Sequence, residues 1–315
     1  MKQLLGVMCT AFLVLAVPHQ QVVARTLNGF VLDDASIPPA EIHHGGPPRD
    51  GIPSINTPKF VSAEDATFLE DDHRVLGLDL DGTQRAYPIS ILNWHEIVND
   101  SIGDRTIIVS FCPLCGTGVV FDGDIEGVSR SFGVSGLLYN SDVLLYDRTN
   151  ESLWSQIKAE AIAGPDIGIE LDLIPVTHTT WADWRARHPA TQVLSDDTGF
   201  SRNYARDPYT GYYNSNHIMF PVSSNSRLYH PKESVLGLSY KGVQKAWPFT
   251  ELARSGVSRI EDAIGDTDVS ITFDPEHRTA SVYSSSGEEL PGIVSFWFAW
   301  YAFHPETEVF TADAS

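Results

Sequence analysis

The chain has 315 residues, and its 41 aspartates and glutamates outnumber its 21 lysines and arginines, so its formal net charge is −20. A surface this acidic repels nucleic acid and anionic lipid, which excludes both as binding partners. The length suits one large domain or two of ordinary size.

The N-terminus has the pattern of an export signal. Lys2 precedes an apolar stretch at residues 4–17, and a small-residue cleavage site follows at residues 22–24. We therefore assign residues 1–24 to a signal peptide and predict a mature protein exported to the periplasm or the extracellular space. We expect no membrane span after cleavage, and retention of the signal as an anchor is the alternative.

A segment rich in proline and glycine follows at residues 25–60, with the sequence GGPPRDGIP at 45–53. Proline fixes φ and removes a hydrogen-bond donor, while glycine favours turns, so we expect no long helix or strand there. We predict an ordered N-terminal arm that lies over the body of the protein. The remaining residues, 61–315, are predicted to form a single compact domain.

That domain contains an internal repeat. The motif VLGL, an AYP or AWP tripeptide and an IGD tripeptide occur twice in the same order. We predict a first repeat at about residues 70–125 and a second at about residues 230–290, separated by an insertion at about 131–220. An aromatic tail follows at residues 293–310.

Each repeat is predicted to contain a hairpin, a helix that begins after proline, and another hairpin. The helices are expected at residues 89–98, at residues 249–254 and somewhat beyond, and, within the insertion, at residues 179–188. A further hairpin is expected at residues 132–148, with its turn at Asn140. The predicted fold class is α+β, mainly antiparallel β, with an internally duplicated hairpin–helix–hairpin unit.

Cys112 and Cys115 lie between two apolar, β-branched runs, which predicts a strand, a tight turn and a second strand. Because Cys9 lies within the predicted signal peptide, these two are the cysteines of the mature chain. An oxidising compartment requires neighbouring thiols to be oxidised, bound to metal or kept reduced by another protein.

The first hypothesis is an exported metal-binding protein. A Cys-Pro-x-Cys-Gly turn is typical of metal knuckles, in which both sulfurs bind one ion, and a closed site needs four ligands. We predict Cys112, Cys115, His95 and His304 as the metal ligands, although a structural role for either histidine stays open. Thiolate plus imidazole suits copper or zinc, and export favours copper. Asp274 and His277 replace the cysteines in the second repeat and are a further candidate pair.

The alternative is a thiol–disulfide oxidoreductase that uses the same cysteines and a redox partner. Thioredoxin-like proteins place the second cysteine on a helix whose N-terminus lowers the thiol pKa, whereas the run after Cys115 predicts a strand. A second alternative is a non-catalytic binding or scaffold protein with a groove lined by aromatic side chains, namely Trp154, Tyr209, Tyr212 and Trp297, although large aromatic residues more often lie in the core. No phosphate loop, nucleophile elbow, HExxH motif or dinucleotide fingerprint occurs, so no enzyme class is assigned.

Asn140, Asp142, Asp147 and Arg148 are further polar candidates, which Arg202 and Asp207 could extend into a hydrolase-like cluster. Turn formation and ion pairing explain the same residues, and we favour that interpretation.

Several separated motifs resemble one known family. They are GGPPRDGIP (45–53), HE (95–96), FCPLCG (111–116), FGVSGLLYNSDVLLYDR (132–148), SLW (152–154), PYTGY (208–212) and FWFAWYAFHPET (296–307). In this order they resemble the family called domain of unknown function 3179 (DUF3179), from about residue 41 to residue 310. The resemblance implies an exported protein with a single-unit architecture, and it assigns no activity or ligand.

Overall fold

The structure is a computed structural model that describes residues 25–312, so the predicted signal peptide lies outside the described residues. Antiparallel strands predominate within this range and short helices join some of them, which confirms the α+β class. None of the helices described is both long and apolar enough to span a bilayer.

The regular elements are short and follow one another closely. In chain order the strands are β1 (Thr26–Leu27), β2 (Phe30–Val31), β3 (Ile42–His44), β4 (Phe60–Ser62), β5 (Arg74–Leu80), β6 (Thr83–Pro88), β7 (Ile97–Ile102), β8 (Arg105–Cys112), β9 (Thr117–Asp122), β10 (Asp124–Ile125), β11 (Val128–Ser129), β12 (Phe132–Tyr139), β13 (Asp142–Asp147), β14 (Leu153–Ser155), β15 (Glu160–Ala163), β16 (Leu173–Ile174), β17 (Thr177–Thr180), β18 (Gln192–Leu194), β19 (Ser234–Tyr240), β20 (Val243–Pro248), β21 (Arg259–Ile264), β22 (Thr267–Asp274), β23 (Thr279–Ser284), β24 (Glu289–Leu290), β25 (Ile293–Phe296) and β26 (Glu308–Val309). The α-helices are α1 (Ile89–His95), α2 (Trp181–Arg187), α3 (Thr210–Tyr213), α4 (Phe249–Ser255) and α5 (Trp297–Phe303).

Four larger sheets contain most of these strands. The largest has the order β26-β20-β19-β25-β9-β8-β7, with β16 also paired to β9, so strands from both predicted repeats share it. Two five-stranded sheets have the orders β17-β5-β6-β18-β4 and β15-β14-β13-β12-β3, and a four-stranded sheet has the order β21-β22-β23-β24. The knuckle between β8 and β9 therefore lies in a sheet completed by the aromatic tail.

Helix α1 is shorter than predicted. It begins after Pro88, as expected, but ends at His95 rather than at residue 98. Glu96 takes a left-handed conformation, with φ of 58°, and Ile97 begins strand β7. Glutamate is a good helix former in isolation, so its helical propensity is overridden here by the tertiary structure.

Two strand–helix–strand units, β17–α2–β18 and β25–α5–β26, have the same arrangement. Strand β17 pairs antiparallel with β5 and β18 pairs parallel with β6, while β25 and β26 pair in the same way with β19 and β20. The predicted insertion therefore contains a unit that matches the aromatic tail in topology. An origin by duplication stays a prediction.

The two units also share their internal contacts. Trp184 Nε1 donates a hydrogen bond to Thr191 Oγ1 at 3.0 Å, and Trp300 Nε1 donates to Thr307 Oγ1 at 2.9 Å. Each tryptophan ring also stacks on a histidine four residues later, with ring centroids 4.1 Å and 4.2 Å apart. Both tryptophans are buried, so they anchor α2 and α5 to the sheets below them.

The tryptophan rings require glycine on the adjacent strand. A Cβ atom added at Gly77 would overlap the Trp184 ring, and one added at Gly237 would overlap the Trp300 ring. Overpacking of a well-packed core costs about 1–3 kcal/mol.

We therefore expect Gly77→Ala and Gly237→Ala each to lower the free energy of unfolding by about that amount, measured by urea denaturation. The matched control is Gly211→Ala, where an added Cβ meets no atom within 4 Å; equal losses in all three variants would contradict this packing constraint.

The ring of His304 lies against Trp300 and is largely removed from solvent. Burial, assisted by the nearby charge of Lys158, lowers the pKa of His304 to about 4 from an ordinary value of 6.5. The unfolded chain therefore binds this proton first, and stability is lost as pH falls from about 6.5 towards about 4. His304→Phe keeps an aromatic ring and removes the titration.

We expect the free energy of unfolding to fall less in His304→Phe than in the parent when urea denaturation is compared at neutral pH and at about pH 4.5. His217→Phe, at an exposed position, is the control and should follow the parent. An identical pH slope in His304→Phe and the parent would contradict the assignment.

Candidate functional site

The two cysteines lie at the tight turn predicted between two strands. Cys112 ends β8 and is the register partner of Thr117, the first residue of β9. Gly116 closes the turn with φ of 61°, and a Cβ atom there would lie 2.9 Å from the Phe296 ring. Glycine is therefore needed for both the backbone conformation and the close approach.

Both thiols are buried and free. Cys112 is 1% exposed and Cys115 is fully buried. The Cys115 thiol donates a hydrogen bond to the backbone oxygen of Ser141 at 3.3 Å, and its own backbone oxygen accepts one from Phe296 at 2.7 Å. The knuckle thus contacts the β12–β13 turn on one side and the start of α5 on the other.

Asp142 completes a group of three side chains that could hold a metal ion. One ligand atom from each of Cys112, Cys115 and Asp142 lies within 4.8 Å of the others. The Asp142 carboxyl is fully buried; its Oδ2 accepts a hydrogen bond from the backbone of Ile157 at 3.1 Å. Its Oδ1 has no hydrogen-bond partner among the described residues. Such an unpartnered buried oxygen is available to a ligand.

A buried two-residue turn positions Asp142 beside the cysteines. Asn140 and Ser141 both have positive φ, 53° and 64°, as a type I′ hairpin turn requires. The Asn140 side chain donates to the backbone oxygen of Ala302 at 3.2 Å and accepts from the backbone of Ser223 at 2.8 Å. The turn is therefore fixed to α5 and to the segment that follows α3.

Burial dominates the electrostatics of this site. It raises the pKa of the Cys112 thiol and raises that of Cys115 well above its ordinary value. It also raises the pKa of Asp142 to about 7, although the hydrogen bond from the backbone of Ile157 opposes the shift. Four acidic groups, including Glu96, share one buried region, so any cation bound there would relieve their repulsion.

A lysine and three tyrosines lie around the group. Lys232 Nζ lies 3.9 Å from the centroid of the Tyr212 ring and donates to the backbone oxygen of His217 at 2.6 Å. Burial lowers the Lys232 pKa to about 8, and the neighbouring Cys115 opposes that shift. Burial also raises the pKa of each tyrosine, which keeps them neutral: Tyr209, Tyr212 and Tyr213.

His95 lies outside the group formed by the cysteines and Asp142. Its Nδ1 lies 2.7 Å from the backbone oxygen of Pro53, and its Nε2 lies 2.6 Å from the Tyr204 hydroxyl. Both ring nitrogens are therefore engaged by protein oxygens. Burial lowers the pKa of His95, which favours the neutral ring.

The other histidine candidates also lie elsewhere. His304 stacks on Trp300 and is not part of the cysteine group. Asp274 and His277 form a separate group with Asp183, beside α2, and the His277 ring contacts the Thr180 hydroxyl at 2.7 Å. The turn at residues 274–277 therefore contacts the start of α2, just as the cysteine turn contacts the start of α5.

Only one member of the polar cluster considered from sequence joins the cysteines. Asp147 pairs with the buried Arg130, and Arg148 pairs with Asp50 at 2.7 Å. Asp142 differs from both, since among the described residues it has no basic partner. In the sequence, Asp142 is an acidic residue at the start of an apolar strand, and its place beside the Asn140 turn made a role in turn formation the simpler interpretation.

The aromatic groove suggested by the sequence is not formed by tryptophans. Trp154 and Trp297 are fully buried core residues. Tyr209 and Tyr212 instead pack beside the cysteine group.

One comparison with known proteins is informative. Residues 49–290 match the family model described as "Protein of unknown function (DUF3179)". No curated protein and no solved structure matches the chain. The match covers most of the sequence and contains the cysteine knuckle and the Asn140 turn, so the chain belongs to the DUF3179 family.

Proposed function

We propose that this protein is exported and binds one metal ion through Cys112, Cys115 and Asp142. The observation that carries the proposal is the approach of three buried ligand atoms to within 4.8 Å, with one oxygen of Asp142 unpartnered. Buried carboxylates and thiolates without a cation are expensive, because each charge loses its hydration. A metal ion would offset that penalty while displacing the thiol protons.

The donor set favours zinc over copper. The expectation of copper rested on imidazole ligands, and neither His95 nor His304 belongs to the group. Two thiolates and a carboxylate suit zinc, which accepts both sulfur and oxygen, whereas Cu(I) prefers sulfur. Three protein ligands leave a fourth tetrahedral position for water or another small ligand.

The electrostatics weigh against the thiol–disulfide alternative. The nucleophile in disulfide exchange is the thiolate, and burial raises the pKa of both cysteines. Strand β9 follows the knuckle, so Cys115 does not begin a helix whose N-terminus would stabilise its thiolate. Metal coordination would also protect the thiols in the oxidising compartment that the N-terminal sequence predicts.

We predict about one zinc ion per chain in protein purified from the compartment to which it is exported, measured by elemental analysis. Cys112→Ser/Cys115→Ser should lose that metal, because serine does not supply a thiolate. Asp274→Asn, in the corresponding turn of the second repeat, is the matched control and should retain it. A metal-free parent with a readily reduced disulfide would favour the oxidoreductase; a parent with neither would favour the binding or scaffold protein.

Asp142→Asn tests the third ligand separately. The amide occupies nearly the same volume but lacks the negative charge, so we expect zinc affinity to fall by at least about tenfold. Competition with a chelator of known affinity measures that change. His95→Gln is the control and should bind zinc as the parent does. Loss of zinc in His95→Gln, with normal affinity in Asp142→Asn, would restore the sequence-based ligand set.

A further inference from the structure

A second feature of this region is a small cavity beside Cys112. Its volume is about 100 Å³, and it lies between the N-terminal arm, strands β12 and β13, and the segment after α3. Aliphatic side chains form much of its wall, among them Ile52, Val134 and Val143. Met219, which is 45% exposed, also lines it and marks its solvent side.

Glu96 is the acidic side chain that lines this cavity. It is only 7% exposed, and its carboxyl group makes no hydrogen bond within residues 25–312. Its backbone, in contrast, is fixed at both ends: the N–H donates to Leu92 at 2.7 Å and the carbonyl accepts from Phe111 at 2.8 Å. The side chain is thus held at the cavity by its backbone and not by partners of its own.

The unpartnered carboxyl of Glu96 at the cavity wall indicates a ligand. A buried carboxyl without a hydrogen-bond partner is unfavourable, and native structures seldom retain one without a reason. This observation does not depend on a metal ion at Cys112, Cys115 and Asp142.

We propose that this cavity binds a small neutral molecule with a short apolar body and one N–H or O–H group that donates to Glu96. Short aliphatic amides and alcohols are the matching chemical class. A water molecule takes about 30 Å³ of liquid, so a cavity of about 100 Å³ holds a ligand of only a few non-hydrogen atoms.

Charge excludes the other small ligands. An anion would lose its hydration among the same aliphatic side chains, where Glu96 and Cys112 present acidic groups and no basic side chain of the described residues lines the cavity. A cation would lose its hydration among aliphatic side chains, with Glu96 as its one carboxyl partner at the cavity wall. A neutral amide places its polar end at Glu96 and its hydrocarbon against the wall.

Propionamide, propionate and propylammonium provide a matched set of probes with nearly the same size and different charge. We expect propionamide to shift the methyl NMR signals of Val134, Leu138 and Val143 in a saturable manner, both in metal-free and in zinc-loaded protein. Propionate and propylammonium should bind at least about tenfold more weakly. Absence of a propionamide response, or tighter binding of either ion, would overturn the proposal.

Substitutions at Glu96 test the anchor. Glu96→Gln keeps hydrogen-bonding atoms at the cavity and should bind propionamide within about threefold of the parent, whereas Glu96→Leu should bind about tenfold more weakly, as expected for one lost hydrogen bond. Equal affinity in Glu96→Leu and the parent would overturn the role of Glu96. If Glu96→Leu does not fold, Ile52→Trp fills the cavity from its half-buried wall; loss of binding supports the site, and undiminished binding overturns it.

Discussion

The arrangement of this protein depends on a hairpin turn that is buried rather than exposed. Turns usually lie at the surface, because their backbone polar groups need water. Here Asn140 and Ser141 are almost completely enclosed, and protein groups replace the water. The Cys115 thiol donates to Ser141, while the Asn140 side chain contacts both α5 and residue 223. The cysteine knuckle, helix α5 and the segment that follows α3 therefore meet at one turn.

Much of the fold could be predicted correctly from local sequence patterns. The β-branched runs and glycine around Cys112 and Cys115 specify a strand–turn–strand, and Pro88 specifies the start of α1. The predicted end of α1 was wrong because Glu96 takes a conformation that its own propensity disfavours. The hydrogen bonds of its backbone with Leu92 and Phe111 hold Glu96 in that conformation. Such a tertiary constraint leaves no local sequence signal.

The site was harder to predict because its members are distant along the chain. His95 precedes the knuckle closely in sequence, yet its ring points to Pro53 and Tyr204. Asp142 follows the cysteines by about thirty residues, and the pairing of β12 with β13 delivers it to them. Composition and spacing were enough to single out the two thiols. Asp142, in contrast, could be placed beside them only once the pairing of the strands was known.

The shared sheet has a consequence for the order of assembly. Strand β25 pairs with β9, the Cys115 carbonyl accepts from Phe296, and Ala302 accepts from Asn140, so residues 293–302 pack against the cysteine knuckle and the Asn140 turn. These residues lie far from the cysteines along the chain. The knuckle is therefore completely enclosed only when the two halves of the chain have come together.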